Sequence, residues 1–367
     1  MSAPESFAGD REQRVLAIIE TARAKPARFR DARITLAHGA GGKATQTLIE
    51  GLLVPAFARP GGALAALGDA GAVAAGGVAL AISSDSFVVK PLRFPGGSIG
   101  ELAVNGTVND LAVSGARALA LTVSLILEEG LESEVLAAEV AAIAAAAQTA
   151  GVEIVGGDTK VVERGAADGM YITTSGIGVI DPRATLSSEA IAAGDVVLLS
   201  GPIAEHGTAI MLARNLFELD AEIESDTCSL WPAVDALLGA AGPALHCMRD
   251  ATRGGVASVL NELARAAGVS VTVDAAAVPV APNVAAAAEL LGIDPMYIAN
   301  EGRFVAFVAP AAAERALGAL QAVAGCEQAA IIGTVAQEPP GMVLVDTGFG
   351  GRRVMDQLVG DPLPRIC

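Results

Sequence analysis

From Ile34 onward, apolar runs of strand length alternate with Ala-rich segments of helical length. The runs VALAIS (78–83), ALALTVSLIL (118–127), VEIV (152–155) and MYITTSGIGVI (170–180) read as strands. Between two of them, EVLAAEVAAIAAAAQTA reads as a helix, with Ser133 as its N-cap and Gly151 as its stop. A second alternating block starts at DVVLLSGP (195–202). It continues through helices near 205–217, 256–267, 283–291 and 311–324 and strands VSVTVDA, RFVAFVA and AAIIGTV. The pattern predicts four parts: an N-terminal extension (1–33), an α/β domain (34–182), a second α/β domain (183–346) and a mobile tail (347–367).

Composition narrows what such a chain does. Its 367 residues exceed one ordinary core, which agrees with two domains. Hydrophobic residues make up 52% of it, yet aromatics only 3%, and polar groups interrupt every apolar run before it reaches membrane-spanning length. The start, MSAPESFAGDREQR, lacks the order of a signal peptide, so a cytoplasmic protein with no membrane partner is expected. A net charge of −17 disfavours nucleic acid, whose phosphates need Lys and Arg. The four cysteines, Cys228, Cys247, Cys326 and Cys367, form no CxxC pair and are expected to be free thiols.

Candidate chemistry lies where Gly-rich turns meet acidic residues. ITLAHGAGGKAT (34–45) fails as a P-loop, because Ala37 and Ala44 stand where Gly and Ser or Thr are required. It fits only the loosest dinucleotide fingerprint, with no ribose-binding acid at the usual distance. Asp85, Asp110 and Asp158, with Asp69 as a weaker member, sit beside apolar elements and supply the hard oxygens that magnesium on a polyphosphate requires. Taken singly, each is as well explained as a turn or cap residue. In DATRGGVASVLNELARAAG (250–268), Gly254 and Gly255 open a helix whose free N–H groups, with Arg253, suit an anion. Lys160 is a candidate phosphate clamp or proton-transfer group and Glu301 a candidate base, while His38 and His246 are placed to line a cleft. The PLPRIC terminus holds Cys367 at the tip of a Pro-stiffened segment, a thiol that can be acylated and carried between sites.

Together HGAGGK (38–43), SSDSFVVKPLRFPGGSIGELAVNGTVNDLAVSGA (83–116), GGDTKVV (156–162), RDATRGGVA (249–257), NEGRF (300–304) and PRIC (364–367) resemble the signature blocks of the HypE family of hydrogenase maturation proteins. All but the last are partly shared with aminoimidazole ribonucleotide synthetase, selenophosphate synthetase and thiamine monophosphate kinase. The resemblance spans about residues 34–367 and implies a two-domain α/β (α+β) fold, each domain a mixed sheet with packed helices, in a homodimer that binds ATP and Mg2+. It implies that HypF loads a carbamoyl group onto Cys367, that ATP-dependent dehydration turns it into a thiocyanate, and that the cyanide passes to iron on HypC–HypD. By motif, nucleotide binding falls to Gly39, Gly41, Gly42, Lys43, Asp85, Asn109, Asp110, Gly156, Gly157, Asp158, Arg253, Gly254 and Gly255, and metal binding to Asp69, Asp85, Asp110 and Asp158. Lys160 and Glu301 are then expected near the carbamoyl group, His246 is a further catalytic candidate lining the cleft, and Arg365 beside Cys367 modestly favours its thiolate. Two competing readings are an ATP-dependent small-molecule synthetase or kinase of the same superfamily, and a non-enzymatic ATP-gated scaffold.

Overall fold

The computed structural model describes residues 28–59, 67–214, 222–348, 351–360 and 367. The predicted extension lies mostly outside them, as does Arg365. Among the described residues no helix is long and apolar enough to cross a membrane.

The first domain contains strands β1 (Gly71–Ala75), β2 (Val78–Phe87), β5 (Ala116–Glu128), β6 (Glu153–Val162) and β7 (Met170–Ile180) in one sheet of order β1-β2-β7-β5-β6, and a small β3 (Arg93–Phe94) and β4 (Gly97–Ser98) hairpin. Only the β5–β6 pair is parallel. Two helices, α1 (Ile99–Val113) and α2 (Ser133–Ala150), cover one face. The other face leaves Ile82, Leu119 and Ile126 exposed.

The second domain is a seven-stranded sheet of β8 (Val196–Leu199), β9 (Leu245–Asp250), β10 (Ser270–Asp274), β11 (Phe304–Val308), β12 (Ala330–Ala336), β13 (Met342–Asp346) and β14 (Arg352–Val354), in the order β14-β13-β10-β12-β8-β11-β9. Around it pack α3 (Glu205–Ala213), α4 (Trp231–Ala241), α5 (Gly255–Ala267), α6 (Pro282–Leu291) and α7 (Ala313–Gln321).

Helix α1 joins the domains. Thirteen of its fifteen residues are buried, because it touches the first sheet on one side and α4 and β9 on the other. Gly106 permits this approach: a Cβ there would lie 2.7 Å from the Phe87 ring. Gly115 follows at φ +77°, where L side chains are strained, and turns the chain into β5.

Local expectations were met unevenly. Gly151 ends α2 in the left-handed conformation as predicted (φ 67°). Ser133 instead opens that helix as its first residue, with Glu132 at the cap position and no side-chain cap bond. The strand predicted over 152–155 continues to Val162, so GGDTKVV lies inside it rather than after it. Over its described length the tail is packed onto the second domain. β14 pairs with β13, Met355 is fully buried, and Tyr297 Oη donates to the Asp356 carbonyl at 2.9 Å. Apolar burial and a strand edge thus anchor a segment whose Gly and Pro content reads as loose.

Candidate active site

Four carboxylates from different elements converge between the domains. Asp69 precedes β1, Asp85 lies near the end of β2, Asp110 is in the last turn of α1 and Asp250 ends β9. Ligand oxygens of Asp69, Asp110 and Asp250 all lie within 4.8 Å of one another. Ser83 Oγ donates to Asp110, and the Arg249 guanidinium meets Asp69 at 3.1 Å. Burial, and then the neighbouring acids, hold the Asp110 and Asp250 carboxyls well above the usual carboxylate range. Such a group of hard oxygens, poorly compensated by protein cations, has the donor chemistry that a divalent cation satisfies.

Glu301 stands beside this group and is buried. Its loop is fixed by Asn300, which accepts from Ala204 N–H at 2.7 Å and donates to the Ala251 carbonyl at 2.7 Å. Asp226 accepts from the backbone N–H groups of Glu301 and Gly302, both at 3.1 Å. Desolvation, followed by Asp250, Asp85 and Asp226, pushes the Glu301 carboxyl well up, with Arg253 opposing.

The terminal residue is in this cluster. Cys367 is half-buried against the first-domain core. Burial pushes its thiol up to about 12; Arg253 works against that, while Glu301, Asp85 and Asp250 add to it. The sulphur therefore shares an electrostatic neighbourhood with an arginine, a candidate base and two of the clustered acids.

The Gly-rich loop forms the adjoining wall. Arg253 Nη1 donates to the Gly39 carbonyl at 2.9 Å, and Ser258 Oγ donates to that of Gly41 at 3.1 Å. Gly254 caps α5 at φ 77°, and Gly255 begins it, as the sequence suggested. Gly41 and Gly42 line a cavity of about 470 Å³ together with Leu67, Gly68, Arg249 and Arg265. An adjoining space shares Leu67, Gly68 and Arg249, and reaches Asp69. Lys43 points elsewhere: its Nζ pairs with Asp356 at 2.8 Å, and its N–H donates to the Leu358 carbonyl.

Several predicted site residues are not brought together. Cross-strand partners share a sheet face, so Asp158 lies with Ser124, Thr173 and Ser86, whereas Asp85 pairs with Thr174 on the opposite face. Asp158 cannot join the acidic cluster of its own chain. It is exposed and bound to Lys160 Nζ at 2.6 Å. Gly156 and Gly157 belong to the same edge strand, and a Cβ on Gly157 would sit 1.9 Å from the Val123 carbonyl oxygen, so its glycine answers strand packing. Asn109 is a clamp between domains, donating to the carbonyls of Cys228 and Glu301 and accepting from Leu230 N–H. His246 pairs with buried Asp195 at 2.8 Å, and His38 with Asp31 at 3.0 Å.

The His246 pairing makes a test. Among the described residues, truncation to Ala leaves Asp195 with only the Ala192 N–H as a side-chain partner. A loss of about 1–3 kcal/mol is expected in denaturant unfolding, with ATP turnover unchanged. Lost turnover in a fully folded variant would return His246 to the site.

Residues that sequence reasoning passed over are Asp250 and Asp226. Asp250 carried the same signal as the others, an acid closing the apolar run LHCMRD before a Gly turn.

Residues 67–180 match the family AIR synthase related protein, N-terminal domain, and residues 192–346 match AIR synthase related protein, C-terminal domain. Carbamoyl dehydratase HypE of Rhodobacter capsulatus is 47% identical over 339 residues, covering 92% of this chain and 99% of that protein. Among solved structures, one of a HypE–HypF complex matches with a TM-score of 0.80 at 42% identity, covering 85% of this chain and 99% of that one. HypE in complex with ATP matches with a TM-score of 0.76 at 41% identity over 91% of this chain and 100% of that one. On two domain matches and near-complete alignment to these relatives, the chain belongs to the HypE family of carbamoyl dehydratases.

Proposed function

We propose that this chain converts an S-carbamoyl group on Cys367 into a thiocyanate at the expense of ATP, for the cyanide ligand of a nickel–iron hydrogenase centre. The observation that carries this reading is the placement of the C-terminal sulphur beside Arg253, Glu301 and the carboxylate cluster. ATP would occupy the cleft lined by Gly41, Gly42 and Arg249, with its phosphates toward Asp69, Asp85, Asp110 and Asp250. Those acids would hold Mg2+, which supplies charge neutralisation and orientation of the phosphates when bound.

An amide oxygen is a poor leaving group. Attack of the carbamoyl oxygen on the γ-phosphorus releases ADP and makes the oxygen part of a phosphate ester, while the nitrogen gives up one proton. The C–O bond then breaks, phosphate departs with the oxygen, and the nitrogen gives up its second proton to leave S–C≡N. Glu301 is the base we assign, since a carboxyl raised well above its usual range by burial and neighbouring acids binds a proton more readily than an ordinary one. Arg253 faces the developing phosphate charge. Burial of the sulphur keeps water from the phosphorylated intermediate.

The open face of the first sheet, with Ile82, Leu119 and Ile126 exposed, is where we place a homodimer contact. Lys160 and Asp158 lie on that strand edge, so any part Lys160 plays in the reaction would be in the site of a second copy. We further propose a cytoplasmic location, loading by HypF and delivery of cyanide to iron on HypC–HypD. The direct test is the mass of the C-terminal peptide. After incubation with HypF, carbamoyl phosphate and ATP, it should gain one carbamoyl group, then lose one water only when Mg-ATP is available to this chain. An unmodified or permanently carbamoylated peptide would overturn the reading.

A further inference from the structure

Buried carboxylates that lack their metal either hold protons or pair with a cation. The cluster between the domains has such a cation built in. Arg249 stands one residue before Asp250 on β9, and its three guanidinium nitrogens are all engaged, by both domains. Nε meets Asp69 at 3.1 Å, Nη1 meets Glu262 of α5 at 3.4 Å, and Nη2 donates to the Leu67 carbonyl at 3.0 Å. Little of either side chain in the Arg249–Asp69 pair reaches solvent, 15% and 12% respectively, so the contact is poorly screened. Arg253, the other arginine near these acids, donates to the Gly39 carbonyl instead. Arg249 lines both the cavity beside the Gly-rich loop and the adjoining space that reaches Asp69, which puts it on the boundary between them. Burial pushes the Asp69 carboxyl up and Arg249 opposes this, while Asp69 is the foremost group holding the guanidinium charged.

We propose that Arg249 is an exchangeable counter-cation: it holds Asp69 while the cleft is empty, gives that carboxylate up to a divalent cation, and turns its guanidinium to the triphosphate that arrives with the cation. The inference rests on the placement of ATP and Mg2+ proposed above. Ligand oxygens of Asp69, Asp110 and Asp250 lie within 4.8 Å of one another. A guanidinium bonded to one of them therefore repels a cation placed among the three. A polyphosphate removes the conflict, because it offers the planar guanidinium a bidentate partner of higher charge than Asp69. Glu262 lines the cavity on the loop side, so Arg249 keeps this partner as it turns there. Metal alone is opposed by Arg249 and nucleotide alone is favoured by it, while the two together are bound without opposition. A site built in this way takes the nucleotide and its metal as a unit and discriminates against a bare cation.

Arg249→Gln removes the charge and keeps a hydrogen-bond donor. Mn2+ titrated into the nucleotide-free, full-length variant and followed by electron paramagnetic resonance is expected to bind about 10-fold tighter than to the unsubstituted chain. A non-hydrolysable ATP analogue titrated in EDTA is expected to bind the same variant about 10-fold more weakly. The opposite signs separate the exchange from a purely structural role, since damage to the fold weakens both. Arg249→Lys keeps the charge and should leave Mn2+ binding close to that of the unsubstituted chain. Mn2+ binding by the Gln variant that is no tighter, or analogue binding that is no weaker, would overturn the inference. Mn2+ and analogue that fail to bind the unsubstituted chain even together would instead overturn the placement of ATP and metal, so the two failures are distinguishable. Should the Gln variant not fold, the unsubstituted chain supplies the check. Phenylglyoxal labelling of Arg249, read by peptide mass, should quicken when Mg2+ is added alone and slow when Mg2+ and the analogue are added together. Labelling unmoved by Mg2+ alone overturns the exchange.

Discussion

Asp250→Asn is expected to reduce Mg2+-dependent ATP turnover about 10²-fold or more while making the metal-free protein more heat-stable. The two effects have one cause. Asp250 closes β9 against Asp69 and Asp110, all within ligand distance of a single ion. Losing one hard anionic ligand removes part of a charge grip worth several kcal/mol in a phosphoryl-transfer step, and each 1.4 kcal/mol is a factor of ten. In the absence of metal the same charge is a liability. Its carboxyl is held well above the usual range, chiefly by burial and then by Asp69. The isosteric amide keeps the shape and removes the repulsion. A melting series with and without EDTA, read beside ATP hydrolysis, checks both halves. A variant that melts lower than the parent without metal would refute the electrostatic account.

The pH dependence carries the same sign. Asp110, Asp250 and Glu301 all have folded-state values above their unfolded ones. The folded chain therefore binds more protons than the unfolded chain between those limits. Their favourable contribution is complete below about pH 4 and is lost as pH rises through the elevated folded values. The stability difference between Asp250→Asn and its parent, both metal-free, should widen toward alkaline pH. A divalent ion bound only by the folded form should reverse the order.

How much of this was legible in the sequence depended on whether a residue's role is local. Gly151, Gly254 and Gly255 announced helix ends because a left-handed turn is a property of the chain itself. Helix α1 gave no amphipathic signal, since it is buried on both sides and its polar residues face partners in both domains. Asn109 and Asp110 are one residue apart yet do different work, one as a clamp and one in the cluster, and only the packing of α1 separates them. Asp158 was expected beside Asp85 because the strand before it was drawn too short. Once β6 runs to Val162, alternation alone puts Asp158 on the face away from Asp85. Asp250 was readable by the rule that found the other acids.

The second large effect concerns Cys367. In the pocket its thiol is pushed up to about 12, so at pH 8 the thiolate is about 10³-fold scarcer than in an unperturbed cysteine. Alkylation by iodoacetamide proceeds through the thiolate. Cys367 in the intact protein should therefore react about 10³-fold more slowly than in a free peptide of the same C-terminal sequence, as read by peptide mass against time. A peptide-like rate would put the sulphur outside the pocket for most of the time in solution. The sign also explains how one residue serves two sites. A bare thiolate is disfavoured by burial first and then by Glu301, Asp85 and Asp250, so the sulphur acts as a nucleophile only when away from the pocket. An S-carbamoyl group is neutral and carries no such cost. The protonated thiol carries none either, so the pocket excludes only the nucleophilic form, which confines acylation of the sulphur to its exposed position.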